Sequence, residues 1–126
     1  MNAMDYDEFN RFCGALPVST HVVQWGGSDV WKVGGKVFAI GGWQKTGVPA
    51  FTFKTSDHNY ELLRERPGFR PAPYLATRGM KWIQYCGGGD LVADEIEYYL
   101  AESHRIVSLG LTKKLQRKLG LNQGGE

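Results

Sequence analysis

The sequence has few of the features that mark several large classes of protein. It contains two cysteines, Cys13 and Cys86, which lie far apart and in no pair motif, so they predict neither a disulfide framework nor a four-ligand zinc site. Free thiols are typical of a reducing cytosol, and we expect a cytoplasmic protein. No stretch approaches the roughly 20 apolar residues that span a bilayer, and MNAMDYDEF lacks a basic region followed by an apolar run. We therefore expect no membrane partner and no signal peptide.

The chain also lacks the residue patterns of common active sites. None of its three histidines, His21, His58 and His104, has a Cys, Ser or Asp at a spacing that builds a triad or a metal site. The paired glycines do not stand between a strand and a helix, as a nucleotide-binding loop requires. Cys13 falls on the apolar face of the predicted first helix, where packing is its expected role. The sequence thus predicts no enzyme activity, no cofactor and no metal.

Basic residues are concentrated in the middle of the chain, although the net charge is only +2. Residues 1–31 carry one basic residue against four acidic ones, residues 32–86 carry nine against three, and residues 87–126 carry five against six. Such a basic island can attract phosphate or an acidic partner. The alternative is a solvated surface that keeps the protein soluble.

The spacing of apolar residues predicts a helix followed by four strands. The helix is capped by Asp5 or Asp7 and ended by Pro17, and its apolar face holds Phe9, Phe12, Cys13 and Leu16. The segment THVVQWGGSDVWKVGGKVFAIGG is typical of three short strands, with a tight turn at Gly34-Gly35. PAFTFKT alternates as a fourth strand, which predicts one buried face and one wetter face.

The second half of the chain is predicted to add helices and one more strand. Ser56 caps a second helix, which carries Tyr60, Leu62 and Leu63. RPGFRPAPYLATRG has three prolines and two glycines, which predict an irregular loop rather than a strand or helix. MKWIQYC is predicted as the fifth strand. Asp94 or Asp90 then opens the longest helix, which has one stripe along its face, Ile96, Leu100, Ser103 and Val107. Thr112 begins a short basic turn or helix.

This order predicts an α+β fold of two layers. One antiparallel sheet of about five strands would have helices packed on one face. A chain of 126 residues fits one domain, which we place at residues 4–121, with 122–126 as a disordered tail. We expect a monomer because no long apolar stripe is left unassigned.

Several segments together resemble the MmcQ/YjbR family. They are LPVSTHVVQWGGSDVWKVGGKVFAI, FTFKTS, the PxPYL loop, KW and an amphipathic helix with a late serine, and they cover the chain from about Phe9 to Leu119. The resemblance implies a frataxin-like (CyaY-like) fold and a DNA-binding role in which the hairpins form a double wing. The matching positions are Trp25, Lys32, Lys36, Phe38, Lys54, Pro73, Tyr74, Leu75, Trp82 and Ser103.

Two departures from related patterns matter. The family often has Ser-Tyr in the last helix, where this chain has Ser103-His104. The iron-binding ridge of frataxin-like proteins also needs many acidic residues, and Asp5, Asp7 and Glu8 are too few. We therefore expect no iron binding.

Lys54 and Trp82 are predicted to share the sheet face away from the core. Arg70, Pro73 and Tyr74 would lie at the rim of that face, where a cation and an aromatic ring can hold a phosphate and stack on a base. The alternative is that Pro73 and Tyr74 pack on Trp82 as a second small core, with Lys54 capping loop carbonyls.

Other basic residues lie near the predicted hairpin ends and at the end of the chain. Lys32, Lys36 and Lys45, with Trp43 in a glycine-rich turn, could straddle a nucleic-acid backbone. Lysines on strand edges can instead prevent aggregation. The last cluster could clamp phosphate or form the solvated face of a closing helix; it comprises Lys113, Lys114, Arg117 and Lys118.

Two functions remain open from the sequence. The first is DNA binding through basic and aromatic residues, for which the candidates are Lys32, Lys36, Trp43, Lys45, Lys54, Arg70, Tyr74, Lys81 and Trp82. The second is a module that binds a protein partner or a small ligand through the open aromatic sheet face and the proline loop. A continuous positive stripe would favour the first function, and a concave aromatic pocket would favour the second.

Overall fold

The computed structural model describes residues 4–42, 49–73, 80–87 and 93–123. Within these ranges, six strands form one antiparallel sheet in the order β1-β2-β3-β4-β6-β5. The elements in chain order are α1 (Tyr6–Gly14), β1 (Ser19–Gln24), β2 (Ser28–Val33), β3 (Lys36–Gly41), β4 (Phe51–Lys54), α2 (Asp57–Leu63), β5 (Phe69–Pro71), β6 (Trp82–Tyr85), α3 (Ala93–Leu109) and α4 (Lys113–Leu119). The predicted α+β class is confirmed. No helix in the described part of the chain is long and apolar enough to cross a membrane.

The prediction that the proline-rich segment contains no strand is wrong. Phe69–Pro71 forms β5, which pairs with β6 through Phe69↔Tyr85 and Pro71↔Ile83. Because β5 lies at the edge of the sheet, a proline there removes no hydrogen bond from a second neighbour. An edge strand tolerates both proline and glycine, so their density in this segment did not exclude a strand.

Three helix starts follow from short polar side chains, as predicted. Asp5 caps α1, and its carboxylate accepts from the Glu8 amide while the Glu8 side chain accepts from the Asp5 amide. Ser56 caps α2 and Thr112 caps α4. The start of α3 differs, because the helix begins at Ala93 and Asp94 lies inside its first turn rather than at the cap. Asp90 lies outside the described residues.

The helices pack on one face of the sheet, which confirms the predicted layers. Phe9 of α1 stacks on Phe51 of β4 with ring centroids 4.9 Å apart, and Tyr99 of α3 stacks on Phe53 at 5.8 Å. The same cluster includes buried side chains from α2 and α3, namely Tyr60, Leu63, Ile96, Leu100 and Val107. Burial of large aromatic rings is the main favourable contribution to this core.

The opposite face of the sheet is not wetter at its centre, contrary to expectation. A row of Val30, Ile40, Thr52 and Gln84 crosses β2, β3, β4 and β6 in register, and each of these residues is buried. We call this side the second face. The Gln84 amide donates to the Thr52 hydroxyl at 3.2 Å and its oxygen accepts from the Arg70 guanidinium. Polar side chains can be buried here because they satisfy one another.

Candidate ligand-binding site

Strands β3 and β4 separate at one end, and a helix residue bridges them. Their pairing ends at Ala39↔Phe53. Beyond that pair, the hydroxyl of Ser103 in α3 donates to the Phe38 carbonyl at 2.6 Å and accepts from the Lys54 amide at 2.9 Å. Ser103 thus satisfies two backbone groups that would otherwise pair across the sheet.

A pocket of about 470 Å³ lies at this end of β3 and β4. We call it the β3–β4 pocket. Its walls are mainly apolar, and its lining residues are Trp25, Lys36, Val37, Ile40, Lys54, Met80, Trp82, Ile106, Val107 and Gly110. Pockets for small molecules in proteins have volumes of about 300–1,000 Å³ and mostly apolar walls.

Lys36 and Lys54 bring two positive charges to the β3–β4 pocket. Lys36 is exposed at the start of β3 and Lys54 is half-buried at the end of β4. Within the described ranges, neither ammonium group forms an ion pair with a carboxylate. Charges beside an apolar wall act through a lower effective dielectric than charges in open water, so the pocket favours an anion.

Trp82 lies beside Lys54 across the β4–β6 ladder. The two residues are Cα partners, which places their side chains on the same face of the sheet with Cβ atoms about 4.5–5.5 Å apart. Trp82 is 5% exposed. Its indole Nε1 has no hydrogen-bond acceptor among the described residues.

Trp25 is held in an unusual backbone conformation at the turn between β1 and β2. Its φ is +50°, and the following Gly26 and Gly27 also have positive φ, at +77° and +98°. A bulky residue in this region costs about 1–3 kcal/mol and is typical of functional sites. Trp25 is 53% exposed and lines the β3–β4 pocket.

Only some of the binding residues predicted from the sequence line the β3–β4 pocket. Lys36, Lys54 and Trp82 meet at the β3–β4 pocket. Lys32 lies on β2 and does not line it, while the Lys81 ammonium lies 4.8 Å from the centroid of the Tyr60 ring, toward the helices. Because Trp82 is buried, its ring offers little area for stacking on a base, and that role stays a prediction.

Arg70 has a fixed position on β5. Its Nε and Nη2 both donate to the Gln84 Oε1, at 2.9 and 2.6 Å. Burial raises the pKa of the nearby Cys86 thiol, and the Arg70 guanidinium opposes this rise in part. The remaining nominated residues, Trp43, Lys45 and Tyr74, lie outside the described residues.

Sequence reasoning missed most of the pocket walls. Trp25 matched the family pattern but was not predicted as a site residue. Ile106 is an apolar residue next to the predicted apolar stripe of α3, and it was not predicted as a site residue either. The other missed lining residues are Val37, Ile40, Met80, Val107 and Gly110. These residues come together where the pairing of β3 with β4 ends and α3 crosses the sheet, and the sequence carries no local sign of either.

Two further features of α3 and α4 have structural roles. His104, which stands where the family often has tyrosine, forms a hydrogen bond of 2.8 Å from its Nε2 to the Pro17 carbonyl and packs edge-to-face on Phe38. The basic residues of α4 are exposed, whereas Gln116 on its other side is buried and donates to the Leu111 carbonyl at 2.8 Å. The described residues hold no cluster of His, Cys, Asp or Glu suited to a metal ion.

The comparisons with known proteins agree with this fold. A crystal structure of a Deinococcus radiodurans protein with the domain name DUF419 is similar at a TM-score of 0.78 and 23% identity, over 96% of this chain and 94% of that one. A Pseudomonas syringae protein is similar at a TM-score of 0.64 and 19% identity, over 82% of this chain and 98% of that one. At these identities, the likeness concerns the fold alone. No curated protein matches the chain. The YjbR family model matches residues 14–106, more than half of the sequence, and the chain therefore belongs to the YjbR family.

Proposed function

We propose that this domain binds a small organic anion with an apolar body in the β3–β4 pocket. The observation that carries the proposal is the presence of two lysines, Lys36 and Lys54, without ion-pair partners among the described residues, in the lining of an apolar pocket. The apolar walls would bury the body of the ligand, and the ammonium groups would neutralise its charged end.

The position of the pocket supports selective binding. Seven of its ten lining residues come from β3, β4, β6 and α3, which are packed elements, and Trp25, Met80 and Gly110 lie in connecting segments beside them. A site on such elements holds its side chains ready for the ligand, so less conformational entropy is lost on binding.

The test compares two ligands that share an eight-carbon chain, octanoate and 1-octanol, by isothermal titration calorimetry. We expect octanoate to bind about tenfold or more tightly, because a hydrogen bond to a charged group contributes about 1.5–3 kcal/mol. We also expect its affinity to fall at higher ionic strength. Equal affinities for the two ligands, or no binding of either, would contradict the proposal.

DNA binding is the second candidate. It is favoured by Lys32, Lys54 and Arg70, which lie on three strands of the sheet and form no ion pair with a carboxylate in the described part of the chain. Fluorescence anisotropy with short labelled duplex and single-stranded DNA tests it. Binding at low salt that weakens steeply toward physiological salt would support this candidate, whereas no binding at low salt would remove it.

A further inference from the structure

The indole nitrogen of Trp82 is a buried donor without an acceptor among the described residues. Buried N–H groups in proteins nearly always have a partner, so an exception calls for an explanation. The Ser19 hydroxyl is a second such atom, but Ser19 lies on the edge strand β1 and does not line the pocket. Trp82 does line it. A ligand acceptor in the β3–β4 pocket would satisfy the indole.

Lys54 provides a second donor next to the first. It is the cross-strand partner of Trp82, on the same face of the sheet, and it lines the same pocket. An ammonium group and an indole N–H on adjacent strands can both reach one anionic group, because the Cβ atoms of such partners are only about 5 Å apart.

We infer that the ligand is a monocarboxylate with an aliphatic or aryl body, whose carboxylate accepts from both the Trp82 indole and the Lys54 ammonium. This inference rests on the proposed function and specifies its chemistry. A carboxylate has two oxygens, one for each donor. The body of the ligand would contact the aliphatic part of the lining, which comprises Val37, Ile40, Met80, Ile106 and Val107.

A phosphate monoester fits this pair of donors less well. It carries about −1.5 to −2 charges and three acceptor oxygens at neutral pH, and proteins usually surround it with several donors, from arginine, lysine and the backbone amides at helix N-termini. The guanidinium of Arg70 does not line the β3–β4 pocket and is bonded to Gln84. Lys36, the other lysine of the lining, is exposed at the start of β3, where water screens its charge, whereas Lys54 is half-buried. The half-buried ammonium of Lys54 beside the Trp82 indole matches the smaller charge of a carboxylate.

The test is an NMR titration of the ¹⁵N-labelled protein with octanoate, 1-octanol and octyl phosphate. Tryptophan indole resonances are separate from backbone amides, and the Trp82 resonance is identified by its loss in Trp82→Phe. The indole of Trp31 provides an internal reference, because it donates to the Asn10 side chain at 2.8 Å and Trp31 does not line the pocket. We expect octanoate to move the Trp82 indole proton downfield, 1-octanol to leave it nearly unmoved, and the Trp31 resonance to stay in place.

Calorimetry on Trp82→Phe completes the test, since this change removes the N–H but keeps an aromatic ring. We expect octanoate affinity to fall about tenfold or more, with little change for 1-octanol. If octanoate binds the wild type but leaves the Trp82 indole unmoved, the inference fails while the proposed function stands. If octyl phosphate binds more tightly and moves the indole further, the carboxylate assignment is overturned. If no anion binds, both fail. Should Trp82→Phe not fold, Trp25→Phe, Trp31→Phe and Trp43→Phe assign the other three indole resonances and leave Trp82 by elimination, and the wild-type titration then decides.

Discussion

Replacing Ser103 with alanine removes the hydroxyl that bridges β3 and β4. Ser103 is fully buried, and the change leaves the Lys54 amide and the Phe38 carbonyl without that partner. Leaving a buried backbone group unsatisfied costs about 1–3 kcal/mol. For two groups we expect Ser103→Ala to lower the free energy of unfolding by about 2–4 kcal/mol, a large part of the roughly 5–15 kcal/mol of a typical domain.

The assay is urea unfolding followed by circular dichroism, together with hydrogen exchange of the Lys54 amide. With a slope of about 2 kcal/mol/M, the middle of the range for small proteins, the urea midpoint should fall by about 1–2 M. The Lys54 amide should exchange faster than the neighbouring amides of β4, because Ser103 is its acceptor.

Ser108→Ala is the matched control for this change. Ser108 is also buried in α3, but its hydroxyl donates to the Arg105 carbonyl of the same helix and joins no strands. It also accepts from the Asn122 amide at 3.2 Å, and that amide keeps Gln116 as a second acceptor when Ser108 is replaced. We expect it to cost about 1 kcal/mol. The reasoning is refuted if Ser103→Ala destabilises no more than Ser108→Ala and the exchange of the Lys54 amide is unchanged.

Two further predictions concern a turn and the thiols. Gly34→Ala should destabilise the protein by about 1–3 kcal/mol more than Gly35→Ala in thermal or urea unfolding. Both glycines have positive φ, but a Cβ at position 34 would lie 2.5 Å from Leu111 Cδ1, whereas a Cβ at position 35 would meet no atom of the described residues within 4 Å. Equal losses of the free energy of unfolding for the two variants would contradict this account. Burial raises the pKa of both thiols, so little of either is present as the reactive thiolate at pH 8. Ellman's reagent should label half-buried Cys86 slowly at pH 8 and faster as the pH rises. It should label buried Cys13 only in denaturant. Labelling of native Cys13 as fast as Cys86 would show that the first helix opens readily.

The sequence was sufficient for the parts of the fold that depend on local chemistry. Glycine pairs located the turn between β2 and β3, and polar caps located the starts of α1, α2 and α4. Period-2 alternation placed Lys54 and Trp82 together on one sheet face, and the pairing of β4 with β6 makes them direct partners. These features extend over a few residues, which is why local patterns can specify them.

The sequence was insufficient where distant segments decide the outcome. The edge strand β5 depends on pairing with β6, which outweighs the local effect of Pro71. The burial of Gln84 depends on partners from β4 and β5, Thr52 and Arg70. The β3–β4 pocket depends on where the strand pairing stops and where α3 crosses the sheet, and neither is encoded by the spacing of any one segment.

The central claim, that Lys54 holds an anion in the β3–β4 pocket, is tested most directly by the dissociation constant of octanoate for three proteins. These are the wild type, Lys54→Met and Lys118→Met; Lys118 is an exposed lysine of α4 that does not line the pocket. Both substitutions remove one positive charge, so they change the net charge equally. We predict that Lys54→Met weakens octanoate binding about tenfold and that Lys118→Met leaves it nearly unchanged. Equal effects of the two substitutions, or no effect of Lys54→Met, would contradict the account.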